Sequence, residues 1–302
     1  MTSKSDPAAA GTRKAEPKRS ADPSLRYEAL RQVTPLAGAV LAANASHMTL
    51  DGTNTWLLRD DPARRQAIVV DPGPDDEEHL DAVLAAAGSV STILLTHGHP
   101  DHSDGAKRLH ERTGAPVLAL DPKHRLGAEG LAEGSVVDGA GIDVRVWSTP
   151  GHTADSLCFM IGDVIGDGAA GERAVLTGDT ILGRGTTVVA HPDGVLADYL
   201  DSLRRLAGLG GVAVLPGHGP ELLDAGAVAA QYLEHRAQRL EQVRAAVAEL
   251  RQAKPELAVM DVVAAVYADV DEKLWPAARR SVRAQLDYLD VAYLPDNDDD
   301  KP

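Results

Sequence analysis

Short apolar runs alternate with helical repeats along the middle of the chain. Residues 67–70 (Ala-Ile-Val-Val), 92–95 (Thr-Ile-Leu-Leu) and 117–119 (Val-Leu-Ala) read as short strands. Between them, residues 77–87 and 104–113 read as helices, in the order β-α-β-α. Further strands are expected at 144–147, 157–161, 174–176 and 212–215, with a helix over 196–209 before the last. This layout suits sheets covered by helices, an α/β (α+β) class.

Beyond residue 225 the period is purely helical. Leu233, Ala237, Leu240, Val243, Val247 and Leu250 recur at helical spacing over 225–252, with Glu234, Arg236, Arg239, Glu241 and Arg244 mostly on other faces. Lys254-Pro255 breaks this helix, and two more are expected at 259–267 and 275–289. They form a small separate domain. Residues 1–25 are rich in Ala, Pro, Ser, Lys and Arg without periodicity and are expected to be a disordered tail. The expected division is a catalytic domain over 26–224, a helical domain over 225–293 and an acidic tail over 294–302 containing Asp296, Asp298, Asp299 and Asp300.

Composition narrows the class. With 302 residues and 44% hydrophobic content, the chain can bury one substantial core and a smaller one. No apolar run is long enough to span a bilayer and the first residues lack a signal core, so a cytoplasmic protein is expected. The single cysteine, Cys158, lies in an apolar run and reads as a buried, inert thiol. A net charge of −15 disfavours polyanionic partners, though local arginines or bound cations can reverse the sign at a cleft.

The candidate chemistry sits after the strands. Five strands are each followed by a polar turn: Asp71-Pro72-Gly73, His97 to His102, Thr149 to Thr153 with His152, Thr177-Gly178-Asp179-Thr180, and Pro216-Gly217-His218-Gly219. Sites in such folds gather at the carboxyl ends of strands, where Gly and Pro allow tight turns. His97, His99, Asp101 and His102 place three imidazoles and a carboxylate within one turn, a donor set that suits zinc. Zinc with an open position hydrolyses by activating water, so no serine or cysteine nucleophile is required. His47, His79, His110 and His124 have no partner motif and are expected to be ordinary surface residues. His191 could border the cleft but reads rather as a loop residue.

Asp71-Pro72-Gly73, His97-Gly98-His99-Pro100-Asp101-His102, His152, Asp179 and Pro216-Gly217-His218-Gly219, in this order over about residues 50–220, resemble the metallo-β-lactamase superfamily. The resemblance implies an αββα sandwich with two zinc ions, iron or manganese being the alternatives. It implies one metal on His97, His99 and His152, a second on Asp101, His102 and His218, and Asp179 bridging them, with a metal-bound hydroxide as nucleophile. Asp71 would brace the histidine loop. Asp179 stands where zinc β-lactamases carry a cysteine, and His99 where the diiron oxygen-reducing relatives carry a glutamate. The interval from Asp179 to His218 is too short for the inserted domain of the β-CASP nucleases.

Gly52-Thr53-Asn54-Thr55, the 177–187 segment through Thr187, and Tyr232-Leu233-Glu234-His235-Arg236 are similar to the lactamase-beta-2-like group, which carries a winged-helix-like C-terminal module. That resemblance implies an endoribonuclease acting on single-stranded RNA; the alternatives are a thioesterase of the hydroxyacylglutathione hydrolase kind or a β-lactam hydrolase. A non-catalytic nucleic-acid-binding protein would have no use for seven ligands. Asn54, Thr187, His235 and Arg236 are candidates for bracing the ligands or meeting substrate, with helix packing the other reading of His235 and Arg236. Arg279, Arg280 and Arg283 lie on the helix that a winged helix would offer to nucleic acid, and otherwise form a solvated face.

Overall fold

A computed structural model describes residues 19–20, 22–162, 173–254 and 256–294. The acidic tail, Pro255 and most of the N-terminal tail lie outside the described residues. The first sheet is built from β1 (Leu30–Thr34), β2 (Ala37–Leu41), β3 (Asn54–Leu58), β4 (Ala67–Val70), β5 (Val90–Leu94) and β6 (Val117–Leu118), hydrogen-bonded in that order. The second holds β7 (Val136–Gly139), β8 (Ile142–Ser148), β9 (Leu157–Ile161), β10 (Ala174–Gly178) and β11 (Ala213–Pro216), also neighbours in sequence order. Helices α1 (Glu77–Ala87) and α2 (Pro100–Thr113) belong to the first sheet. Helices α3 (Leu196–Leu206) and α4 (Ala225–Ala253) cover the second, and α5 (Val259–Val266) and α6 (Trp275–Tyr288) complete the chain.

The period-2 alternation of the strands sorts side chains into layers. In β4, Ile68 and Val70 join the core between the sheets, while Ala67 and Val69 pack toward Leu80 and Val83 of α1 and Leu109 of α2. In β9, Leu157, Phe159 and Ile161 fill the inter-sheet core, and Cys158 and Met160 face Tyr199, Leu200 and Leu203 of α3. Both faces of these strands are buried, hence their unbroken apolar sequence. The result is an αββα sandwich.

The sequence reading misses β1, β2, β3 and β7. The edge strand β1 is largely exposed and carries Arg31 and Gln32, so it lacks an apolar run. It also starts α2 too late: the helix begins at Pro100, with Pro at its first position, which the missing N–H tolerates. His99 occupies the N-cap without capping through its side chain, so its ring is available for other partners.

Helix α4 serves two cores. Ala225, Ala229, Tyr232 and Leu240 pack with α3 and the second sheet, whereas Val243 and Val247 pack with Val259, Val262 and Val263 of α5 and Val282 and Leu286 of α6. The arginine face expected on the last helix divides. Arg280 is exposed, but Arg283 is buried within the run Ser281–Leu286, so the cluster is not one solvated face. No helix among the described residues is long and apolar enough to cross a membrane.

Candidate metal centre

Topology gathers the polar turns at one edge. β4 and β5 run parallel, so Asp71 and His97 leave the first sheet on the same side. In the second sheet β10 and β11 are parallel, and β8 shares their direction because both β8 and β10 are antiparallel to β9. Their ends deliver His152, Asp179 and His218. The sheets are tied there: Leu157 N donates to Thr96 O at 2.8 Å and Asn54 N to Gly217 O at 2.8 Å.

The seven sequence-predicted residues form two adjoining groups. His99 Nδ1 lies 3.0 Å from His97 Nε2 and 3.0 Å from His152 Nε2. His218 Nε2 lies 3.2 Å from His102 Nε2 and 3.1 Å from Asp101 Oδ2. Asp179 stands between them. Its Oδ2 is 3.7 Å from His152 Nε2, and its Oδ1 is 3.4 Å from His102 Nε2 and 3.5 Å from His218 Nε2. These spacings resemble the roughly 3.3–3.4 Å edge of a tetrahedron with zinc–nitrogen bonds of about 2.0–2.1 Å.

The rear nitrogens say which atoms are free to ligate. His152 Nδ1 donates to Val188 O at 2.7 Å and His218 Nδ1 to Gly52 O at 3.1 Å, since a carbonyl only accepts. His102 Nδ1 faces Asp71 Oδ2 at 2.8 Å. Thr96 Oγ1 donates to Asp71 Oδ2 at 2.6 Å and therefore accepts from His97 Nδ1 at 3.1 Å. Four rings thus present Nε2 to the cluster, and in the neutral tautomer that atom is a lone pair. Burial first, then its charged neighbours, pushes His97 well below the ordinary imidazole range, and burial with His152 brings His99 down to about 4. Both are neutral donors at neutral pH.

His102 is the exception. Burial would lower it, but Asp179, Asp71 and Asp101 crowd the ring and raise it well above its usual range. That excess of negative charge suits a divalent cation in place of a proton, which would satisfy His102 Nε2, His218 Nε2, Asp101 Oδ2 and the buried Asp179 Oδ1, an atom without a hydrogen-bond partner among the described residues. Burial likewise opposes ionisation of Asp101 and Asp179, yet neighbouring imidazoles hold Asp101 down to about 2 and Asp179 well below the carboxylate range. The donor set therefore fits two divalent cations.

The supporting residues sit behind the ligands. Asp71 adopts φ +51°, a left-handed conformation that aspartate tolerates better than most, and accepts from Thr96 N at 2.8 Å while holding His102. Asn54 is buried and donates to Pro216 O at 3.1 Å and Gly219 O at 2.9 Å, bracing the His218 turn rather than facing substrate. Thr187 is buried with Oγ1 3.2 Å from His152 Nδ1. Arg236 is buried too and donates to Thr187 O, so it does not line the cleft. His235 is half-buried on α4, where burial and then Arg236 and Arg239 lower its imidazole.

Thr96 and Gly217 are functional positions the sequence reading did not single out as such. A Cβ on Gly217 would lie 2.7 Å from His102 Cε1 and 2.8 Å from Asp179 Oδ1, so only glycine fits. The sequence signal was its place beside His218.

The remaining histidines differ from their expectation in part. His47 is exposed. His79 is fully buried, not on the surface: its Nδ1 meets Glu28 Oε2 at 2.6 Å and its Nε2 meets Thr55 Oγ1 at 2.8 Å. The apolar face of α1 carries it inward, and those two partners satisfy the ring. His110 and His124 are half-buried, His110 bonding Ala115 O at 2.7 Å. His191 Nε2 lies 2.7 Å from Asp287 Oδ2, joining the loop to α6. Cys158 is fully buried, which raises its thiol to about 11.

A cavity of about 300 Å³ opens beside His99 and is walled by Leu120, Thr153, Lys123 and three carboxylates, Asp121, Asp155 and Asp193. A larger one of about 560 Å³ lies against Leu30, Leu41 and Arg184, and none of the seven residues lines it. Of these two, the first is next to the chemistry.

Comparison with known proteins identifies the family. Residues 48–218 match the Metallo-beta-lactamase superfamily and residues 258–290 the Beta-lactamase associated winged helix domain. The chain is 33% identical over 281 residues to a Beta-lactamase-like protein 2 homolog of Drosophila melanogaster, covering 87% of this chain and 90% of that one. It is 33% identical over 233 residues to an atrochrysone carboxyl ACP thioesterase of Aspergillus fumigatus, covering 74% of this chain and 68% of the other. A beta-lactamase domain protein from Burkholderia ambifaria shares the fold with a TM-score of 0.71 at 24% identity, over 89% of this chain and 91% of that one. The chain belongs to the metallo-beta-lactamase superfamily, as a metal-dependent hydrolase with a C-terminal winged-helix domain.

Proposed function

We propose that this hydrolase holds two zinc ions and cleaves an ester or thioester with a small, uncharged acyl part. The observation that carries the substrate class is the cavity at His99. Its wall holds Asp121, Asp155 and Asp193 against Lys123 alone, and Lys123 already pairs with Asp121 at 2.8 Å. The ions would attract a phosphate at the centre itself, but the rest of a polyanionic chain running along that wall meets charge of its own sign, and the net charge of −15 adds to the repulsion. A neutral acyl group does not. The thioesterase among the relatives supports the same class.

His97, His99 and His152 would hold one ion, Asp101, His102 and His218 the other, with Asp179 offering one oxygen to each. The bound ions supply Lewis acidity and bring water toward ionisation at neutral pH. Asp101 is held anionic and its side chain is 28% exposed, so an Oδ can accept a hydrogen bond from attacking water and orient it. Because His99 lines the cavity, substrate there reaches the first group directly.

A second reading, cleavage of single-stranded RNA, draws on the winged-helix match and on the exposed Arg280. Zinc-loaded protein assayed on a panel of acyl thioesters and on a labelled single-stranded RNA, with His97→Ala alongside, separates the two. Thioester turnover that vanishes in the variant is expected; RNA cleavage that vanishes in the variant, with thioesters untouched, overturns the acyl reading.

A further inference from the structure

The loop between β10 and α3 has no regular structure, yet it supplies both contacts behind His152, from Val188 O and Thr187 Oγ1. The other end of the chain fastens it. Tyr232 and Arg236 are four residues apart on α4, so they share one helix face, and both are buried. Tyr232 Oη accepts from Leu182 N at 3.2 Å, and Arg236 Nη2 donates to Thr187 O. The guanidinium carbon also lies 5.2 Å from the centre of the Tyr199 ring, whose hydroxyl donates to Thr180 O at 2.8 Å. Two residues one turn apart thereby hold both ends of the segment 182–187.

Burying a guanidinium at 4% exposure is costly, and an apolar side chain would fill the space at lower cost. What the cation adds is a charged hydrogen bond to the carbonyl of Thr187, whose hydroxyl touches the His152 ring. We infer that Arg236 is a positioning residue of the metal centre, through which the C-terminal helix α4 fixes the loop that orients His152. The inference rests on the two-metal reading above. It gives the first half of α4 a task inside the molecule, independent of any nucleic acid.

The test uses the full chain, stripped of metal and titrated with zinc against a chromophoric chelator. Arg236→Met keeps the stem volume, Arg236→Lys keeps the charge, and Arg244→Ala removes an exposed arginine of the same helix that pairs with Glu241. In Arg236→Met, a loss of about 10- to 100-fold in affinity for one of the two ions is expected, the scale for removing a group that orients a ligand. Arg236→Lys should recover part of it, and Arg244→Ala should match wild type. The visible spectrum of the cobalt(II)-loaded protein should shift in Arg236→Met and return toward wild type in Arg236→Lys. Folded Arg236→Met with both ions at wild-type affinity overturns the inference, as does an equal loss at both ions. If Arg236→Met does not fold, the same selective loss, smaller in size, must appear in Arg236→Lys. Wild type that binds no divalent ion overturns both readings, and that outcome is read before any variant is made.

Discussion

At the scale of single residues, the centre depends on which nitrogen of each imidazole is engaged behind it. Asp71 accepts from His102 Nδ1, from Thr96 N and from Thr96 Oγ1, so one carboxylate serves two ligand rings. Asp71→Asn retains the shape but offers only one acceptor oxygen. It should weaken metal binding by about 10- to 100-fold, measurable by chelator competition. His97→Ala should abolish turnover while the far-ultraviolet circular dichroism stays native, because the ring lies beyond the end of β5 and outside the packed cores. Cys158 provides an independent check on burial. With its thiol raised to about 11, roughly one molecule in a thousand carries the thiolate at pH 8. A disulfide reagent at pH 8 should leave native protein essentially unmodified and react stoichiometrically in urea.

At the scale of elements, period and length decided what could be read. The strands β4 and β9 are buried on both faces and announce themselves as apolar runs, whereas β1, an exposed edge strand, does not. The start of α2 was hidden because its first turn is given over to ligands: Pro100, Asp101 and His102 carry no apolar periodicity. His79 was misplaced for the opposite reason. Its neighbours on α1 make an ordinary amphipathic pattern, and only Glu28 and Thr55, distant in sequence, explain a buried ring. Strand β9 holds the two cores together, so Phe159→Ala should cost about 3–5 kcal/mol, read as a lower urea midpoint with an unchanged slope. In the turn after β11, Gly217→Ala should cost metal at the His102–His218 group, since the added methyl enters the space between His102 and Asp179. Metal analysis showing two ions per chain in that variant would contradict the account.

At the scale of the whole molecule, candidate ligands from both sheets and from four separate turns meet at one edge, so any ion bound there cross-links the sandwich. Binding confined to the native state stabilises it by roughly 2.7 kcal/mol when the free metal is 100 times its dissociation constant. Chelation should therefore lower the melting temperature together with activity, and zinc should restore both; a melting temperature indifferent to chelator would argue against a shared site. The family was legible in the sequence because its motifs sit in short turns whose order along the chain is itself a signature; the αββα layers followed from that resemblance, since strand patterns in a few consecutive residues revealed only the strands buried on a core face. What only the tertiary structure decided depends on residues far apart in sequence. Arg236 on α4 reaches the backbone of Thr187, Asn54 braces a turn at Pro216 and Gly219, and Arg283 is covered by packing instead of facing solvent. Periodicity shows that a helix has a buried face, but only the packed neighbours determine whether a polar residue on it meets water, a carbonyl or a ligand ring.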